Sequence, residues 1–300
     1  MKKNKNKIKI SSAGERLFYA GVNVLMLISI LLIILPILNV VSSSISDPMS
    51  VLQGEVFLLP KGFSLEGYKL VFEDSRIMSG FANTIFYTFV TTVLAVAITV
   101  LAAYPLSRKD LVGRNIFMFL FTLTMLFSGG IIPLYLLIRS LKLIDSRLAV
   151  ILPVLINAYN IIVARSFFQS TIPDELLEAA KIDGCGNTRF LISIVLPVSK
   201  AILAVLALYF GVAMWNSWFS AYLYLNSTSK FPLQLVLKEI LLANSMDTGA
   251  MASEGGARVD ALSEVLKYAV ILVSCIPAWL VYPFAQKYFI KGVMIGSIKG

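Results

Sequence analysis

Groups able to accept, donate or carry charge are unevenly spread along this 300-residue chain, and the gaps are as informative as the clusters. There is no histidine, which removes His-based metal sites, His-containing triads and His proton relays. The dipeptide Gly-Lys is also absent, so no phosphate-cradling Walker A loop exists and the chain is not expected to hydrolyse ATP. The densest ionisable constellation is PDELLEAAKIDGCGNTRFLISIVLPVSK, residues 173–200. Asp174, Glu175 and Glu178 crowd a helix start, where the positive end of the helix dipole favours carboxylates. Leu176, Leu177, Ala180 and Ile182 make one apolar face, Gly184 ends the helix, and a second amphipathic turn, Phe190–Val195, leads to Pro197. A short helix with an apolar face and an acidic flank is suited to docking in a groove of another protein.

A second set of groups is scattered through apolar surroundings: Asn83, Thr84, Asn157, Tyr159, Asn160, Trp215, Asn216 and Trp218. Polar side chains at membrane depth face a bundle interior or a cavity. Amides and flat aromatic faces are what a neutral sugar path needs. The competing readings are Asn and Thr as bridges between helices, and Trp in the interfacial belt. The apolar segments hold no Asp, Lys or His for an intramembrane catalytic dyad. They also lack the carboxylates that an ion-coupled secondary transporter uses. Both of those classes are disfavoured.

These groups must be carried by membrane helices. The chain is 58% hydrophobic and only 14% charged, with a mean hydropathy of +0.82, whereas a soluble domain carries about a quarter charged residues. About 20 apolar residues span the hydrocarbon as a helix. Leu17–Val41, Ala82–Leu106, Asn115–Ile138, Ala201–Trp218 and Tyr268–Gln286 meet or approach that length. A shorter sixth, Leu148–Ala164, lies between Arg147 and Arg165, which can snorkel to the interfaces. The first is too long for a signal-peptide core and has no cleavage site after it. The expected fold is an all-α integral membrane protein with six transmembrane helices.

Basic residues collect in 1–16, 107–114, 165–200 and 287–300, which favours both termini inside. The bias weakens at Arg139, Lys142 and Arg147, which crowd an external loop. The net charge of +9 is read as this asymmetry, with no nucleic-acid partner. Residues 1–16 form a cytoplasmic tail, 17–290 the membrane domain and 291–300 a second cytoplasmic tail. External segments 42–81 and 219–267 are long. The first contains an interfacial helix capped by Ser64, with Leu65, Tyr68, Leu70, Val71 and Phe72 on its apolar face. The second ends in a flexible Gly- and Ala-rich loop. Cys185 and Cys275 lie at different depths and are not expected to pair.

The spacing in 173–200 is a signature. Glu178-Ala179-Ala180, three residues, Gly184, nine residues, Ile194, one residue, then Leu196-Pro197 reproduces EAA-x3-G-x9-I-x-LP. The chain thereby resembles the permease subunits of binding-protein-dependent (MetI-like) ABC importers. FSGGIIPLYLLIRSLKLIDSRLAVILP, WNSWFSAYLYL and the terminal YFIKGVMIGSIKG resemble the carbohydrate branch, with its MalG-like and Gram-positive oligosaccharide permeases. The resemblance implies a bacterial cell-membrane location and partners in a second homologous permease, two copies of a cytoplasmic ABC ATPase and an extracellular solute-binding lipoprotein. ATP and Mg2+ would bind the ATPase, leaving this chain without a cofactor. It further implies that the Glu-Ala-Ala helix is the coupling helix: Glu178 meets a basic group of the ATPase, Ala179 and Ala180 allow close approach, Gly184 makes the turn, and Asp183, Ile194, Leu196 and Pro197 complete the ATPase-coupling set. The 244–258 stretch lies where MalG-like proteins send a loop into the binding protein, and Gly296–Gly300 resembles a tail that reaches the ATPases. The expected cargo is an oligosaccharide. Amino acids or peptides carried by a permease of the same superfamily are the alternative, and acidic sugars stay open.

Overall fold

The computed structural model describes residues 13–247 and 254–296, and no strand occurs among them beyond an isolated Ser46–Phe63 bridge. Helix α1 (Ala13–Ser44) is followed by the short α2 (Pro48–Leu52) and α3 (Glu66–Glu73), then the long α4 (Ser75–Ser107). Next come α5 (Arg114–Leu126), α6 (Ile131–Ser140), α7 (Arg147–Ile151), a 3-10 turn at Leu152–Val154 and α8 (Ala158–Thr171). The signature segment forms α9 (Asp174–Ile182), α10 (Asn187–Phe190), a π-turn at Leu191–Val195 and α11 (Leu196–Val198). The chain continues through α12 (Lys200–Trp215), α13 (Phe219–Tyr224), a 3-10 turn at Thr228–Lys230, α14 (Leu233–Asp247) and α15 (Glu254–Gly296).

Gly14–Ser44, Ser75–Ser107 and Ala257–Pro283 are each long and apolar enough to cross a bilayer. Three bent pairs bring the number to six when each pair is one span. The expected Asn115–Ile138 span is therefore corrected: α5 and α6 meet at 110°. The break is local, because Gly130 takes φ +82, which costs a glycine little and a helix interior excludes. Leu148–Ala164 is likewise bent, by 46°. There Asn157 caps α8 by accepting the Asn160 N–H at 3.0 Å. The Ala201–Trp218 helix stops at Trp215.

Two loop expectations are also corrected. The segment 219–267 is largely helical, and its 248–253 portion lies outside the described residues. The C-terminal 291–296 continues α15, while 297–300 lie outside the described residues, as does 1–12 of the N-terminal tail. Ser64 does cap α3, accepting the Glu66 N–H at 3.3 Å, but of its five apolar residues only Val71 is buried.

The chain separates into two compact units. One runs to Leu70 and includes Asp247–Leu272. Within it Asn39 Nδ2 donates to Phe57 O at 2.9 Å, Ser44 and Tyr68 share a 2.9 Å hydroxyl bond, and Val51, Val56 and Val265 cluster. Gly67 is required there: a Cβ would stand 2.5 Å from Val265 Cγ1 and 3.2 Å from its carbonyl oxygen. The other unit spans Val71–Met246 and the chain from Val273 onward. At its centre α4 packs along α8 and α12. The two cysteines are free.

Candidate coupling site and polar span residues

Helix α9 ends in a Schellman arrangement. Gly184, at φ +74, donates to Lys181 O at 3.0 Å, and Cys185 donates to Ala180 O at 2.8 Å. The two bonds satisfy carbonyls that a helix end otherwise leaves unpaired. The signature residues then divide by face. Ala180 (6% exposed), Ile194 and Leu196 pack into the core cluster with Tyr104, Phe168 and Phe190. Glu178, Ala179, Asp183, Gly184 and Pro197 are exposed.

The expected single apolar face of α9 does not form. Leu177 and Ala180 turn inward, whereas Ile182 is 86% exposed and Leu176 also lies open. Ile182 is five residues beyond Leu177, which at 3.6 residues per turn places it well round the helix. The outward stripe is Glu175, Glu178, Ala179 and Ile182, an i, i+3, i+4, i+7 set of the kind that anchors a helix in a groove. The Glu178 carboxylate has no ion pair among the described residues. Of the two alanines only Ala179 is open to a partner, because Ala180 faces the chain's own core.

Segment 107–114 grips this block. Lys109 pairs with Asp174 at 2.5 Å, and Lys181 reaches Asp110 at 3.7 Å. Arg108 Nε donates to Asp110 Oδ1 at 2.8 Å and its Nη2 donates to Asp110 Oδ2. Its Nη1 donates to Asn187 Oδ1 at 2.8 Å and to Tyr104 Oη at 3.1 Å. The Arg108 bond, with the Lys181 charge adding to it, holds the Asp110 carboxyl down at about 2. A lowered carboxylate contributes stability above its unfolded value of about 3.9 that is lost only as pH falls toward the folded value. The grip is therefore fully formed at neutral pH.

At the opposite end of α4 a second polar knot gathers four segments. Asp145, at φ +58, accepts the Asn226 and Ser227 N–H groups at 3.0 and 2.9 Å and the Lys230 ammonium at 2.8 Å. Lys230 and Ser227 hold its carboxyl well below the usual range. Asn83 donates to Ser229 O and Phe231 O at 2.8 and 3.1 Å and accepts from Arg147 at 3.1 Å. Thr84 Oγ1 accepts the Leu233 N–H at 2.8 Å, seating the start of α14.

The remaining span residues are dispersed. Asn160 is buried, with no hydrogen-bond partner at Nδ2. Trp215 Nε1 donates to Ser274 O at 3.1 Å and meets Phe81 edge to face. Asn216 is exposed, its Nδ2 turned to Val212 O at 2.9 Å. Trp218 carries the Lys238 ammonium 3.1 Å over its ring centroid, with Tyr222 beside it. Tyr159 is exposed, pairs with Tyr209 at 6.3 Å and, with Asn157, lines a groove of ≈ 680 Å³ between α5 and α8.

No family model matches the chain. Its sequence is 41% identical over 286 residues to a polygalacturonan/rhamnogalacturonan transport system permease protein, YtcP, of Bacillus subtilis, covering 95% of this chain and 99% of that protein. The chain belongs to the carbohydrate ABC-transporter permease family. LplC of Bacillus subtilis is 40% identical over 269 residues, 89% of this chain and 90% of that protein. A crystal structure of a bacterial ABC transporter involved in import of the acidic polysaccharide alginate contains a chain 36% identical. It superposes with a TM-score of 0.85 over 93% of this permease and 99% of that chain. The permease is a membrane transport subunit of an ABC system, not the hydrolytic subunit.

Sequence reasoning missed the Arg108 and Asp145 contacts of this permease. The Arg108 bond to Asn187 joins residues 79 apart, and the Asp145 bond to Lys230 joins residues 85 apart. No local pattern announces such pairs. The one available signal was charge out of place: three basic residues flanking Asp145 in a loop expected to be external.

Proposed function

We propose that this permease is half of the membrane channel of an importer that carries an oligosaccharide, one with uronate units, into a Gram-positive cell. It pairs with a homologous permease and two copies of a cytoplasmic ABC ATPase, which bind ATP and Mg2+. An extracellular binding lipoprotein delivers the cargo. The observation that carries the reading is the exposed Glu175–Glu178–Ala179–Ile182 stripe on a helix braced from behind by the core, with Glu178 in no ion pair among the described residues. A partner that binds this stripe differently in two nucleotide states would shift the bundle between inward- and outward-open forms. The acidic cargo is supported by two relatives, the polygalacturonan/rhamnogalacturonan permease and the importer of the acidic polysaccharide alginate. Arg139, Lys142 and Lys238, which have no ion pair among the described residues, are cations on the expected external side. Exposed Tyr159 and Asn216, with half-buried Trp218, are the polar span residues best placed to meet cargo.

Calorimetry on the cognate binding protein is the test, with oligogalacturonides, neutral oligosaccharides, amino acids and peptides as probes. Oligogalacturonides are expected to bind and to be taken up only by cells that carry this permease. Binding of an amino acid or peptide alone would overturn the sugar reading.

Ion pairs join 107–114 to α9, and the Asp145 knot joins 145 to 226–231. With the basic-residue bias, this supports a cytoplasmic coupling loop and both termini inside. In a background lacking Cys185 and Cys275, an impermeant thiol reagent outside intact cells is expected to label Thr228→Cys and spare Thr188→Cys. The reverse pattern inverts the topology.

A further inference from the structure

Along the chain, α9 leads to α12, but the connection is soft. It passes through the five-residue π-turn Leu191–Val195 and an 82° bend where α11 meets α12. Single π-turns and sharp bends are points where a helix yields. Toward α4 the link is of another kind. The Arg108 side chain is only 12% exposed and joins three segments at once: its own loop through Asp110, the last turns of α4 through Tyr104, and α10 through Asn187. Tyr104 also stacks at a tilt on Phe190, which α10 contributes, with centroids 6.5 Å apart. From the other side α8 closes the block, Arg165 Nε donating to Leu106 O at 2.9 Å and Gln169 Nε2 to Ser107 O at 3.3 Å. Those carbonyls belong to the end of a helix and have no intrahelical partner.

We propose that Arg108 is a positioning residue which locks α10, and with it the coupling helix, to the end of α4. Movement of α9 then passes sideways into α4 and α8 through side-chain contacts, and reaches α12 chiefly through α4, along which α12 packs. The exposed Lys109–Asp174 pair is a lesser contributor, since pairs held in water are weak. Arg108 is singled out by its fork: a planar guanidinium can bond Asp110, Tyr104 and Asn187 together, which a lysine ammonium on one stem cannot reproduce.

This inference rests on the reading that α9 docks on the ATPase, so the experiment follows Arg108→Gln, Arg108→Lys and Glu178→Lys in the complete importer. Three quantities are measured: ATPase co-purified per permease, ATP hydrolysed, and sugar taken up per ATP. Arg108→Gln is expected to hold the ATPase as the wild type does and to hydrolyse ATP, with sugar per ATP down roughly tenfold, a common size for coupling between sites. Arg108→Lys, which keeps the charge facing Asp110, is expected to fall between. Wild-type sugar per ATP in Arg108→Gln overturns the proposal, including the case where less complex assembles but each complex transports normally. If instead Glu178→Lys holds the ATPase and transports as the wild type does, the docking reading fails, whatever Arg108 does.

Discussion

Glu178→Lys is expected to leave the permease in the membrane while removing uptake and the bulk of ATPase co-purification. Glu178 is exposed, has no ion pair among the described residues and stands at the centre of the outward stripe of α9. Its replacement breaks nothing inside the chain. What changes is the contact surface: on the proposed docking, a carboxylate facing a basic group of the ATPase becomes an ammonium opposed to it. Losing one partner of a desolvated charge pair costs roughly 2–5 kcal/mol, and like charges facing each other add to that. Each 1.4 kcal/mol is about tenfold in affinity, so a loss well over tenfold is expected in a pull-down of the ATPase. Glu178→Gln keeps the shape and removes only the charge, and is expected to lose less. Normal assembly and uptake in the lysine variant would remove the basis for placing the ATPase at α9.

Phe190→Ala is expected to have the largest effect on stability. The ring is 1% exposed and belongs to the cluster that holds Ala180, Tyr104, Phe168 and Ile161 together. Removing it leaves a cavity whose cost, lost burial included, is about 3–5 kcal/mol for a buried phenylalanine. A typical domain is stable by only about 5–15 kcal/mol. The cavity would open behind α9, so the coupling helix loses its backing while its outward stripe is unaltered. Thermal unfolding of the detergent-purified permease is the readout, with a clear drop in midpoint expected. Phe190→Leu, which refills part of the volume, should recover part of the difference. An unchanged midpoint in the alanine variant would mean that α10 is not seated in the core as described.

The sequence was most legible where one physical rule acts alone. Apolar length announces α1, α4 and the middle of α15, because a bilayer tolerates little else. The Gly184 turn and the Ser64 cap were equally plain, since each is fixed by two or three adjacent residues. Legibility failed where a rule was local but its consequence was not. Ser128-Gly129-Gly130 sits inside an unbroken apolar run, and hydropathy sees no boundary where α5 and α6 turn by 110°. Residues 219–247 read as part of a long external segment, yet fold as α13 and α14, with Asn83 and Thr84 on α4 supplying bonds to Phe231 O and Leu233 N. The sequence offers Asn83 and Thr84 both as groups for cargo and as bridges between helices, and the bonds they make are bridges from α4 to the 229–233 segment. At α9 the motif spacing was legible but its division between faces was not. Which of Ala179 and Ala180 turns outward depends on where Phe190 and Tyr104 lie, and only the folded chain fixes that.

The central claim is that this chain moves sugar when an ATPase acts on it, and ATP-driven uptake in proteoliposomes tests that most directly. Both permeases and the ATPase are reconstituted, with binding protein and labelled oligogalacturonide on one side and MgATP on the other. Accumulation is expected only with ATP and with all components present, and it should vanish when this permease is omitted. Accumulation driven by a proton or sodium gradient without ATP, or undiminished in the absence of this chain, would contradict the account.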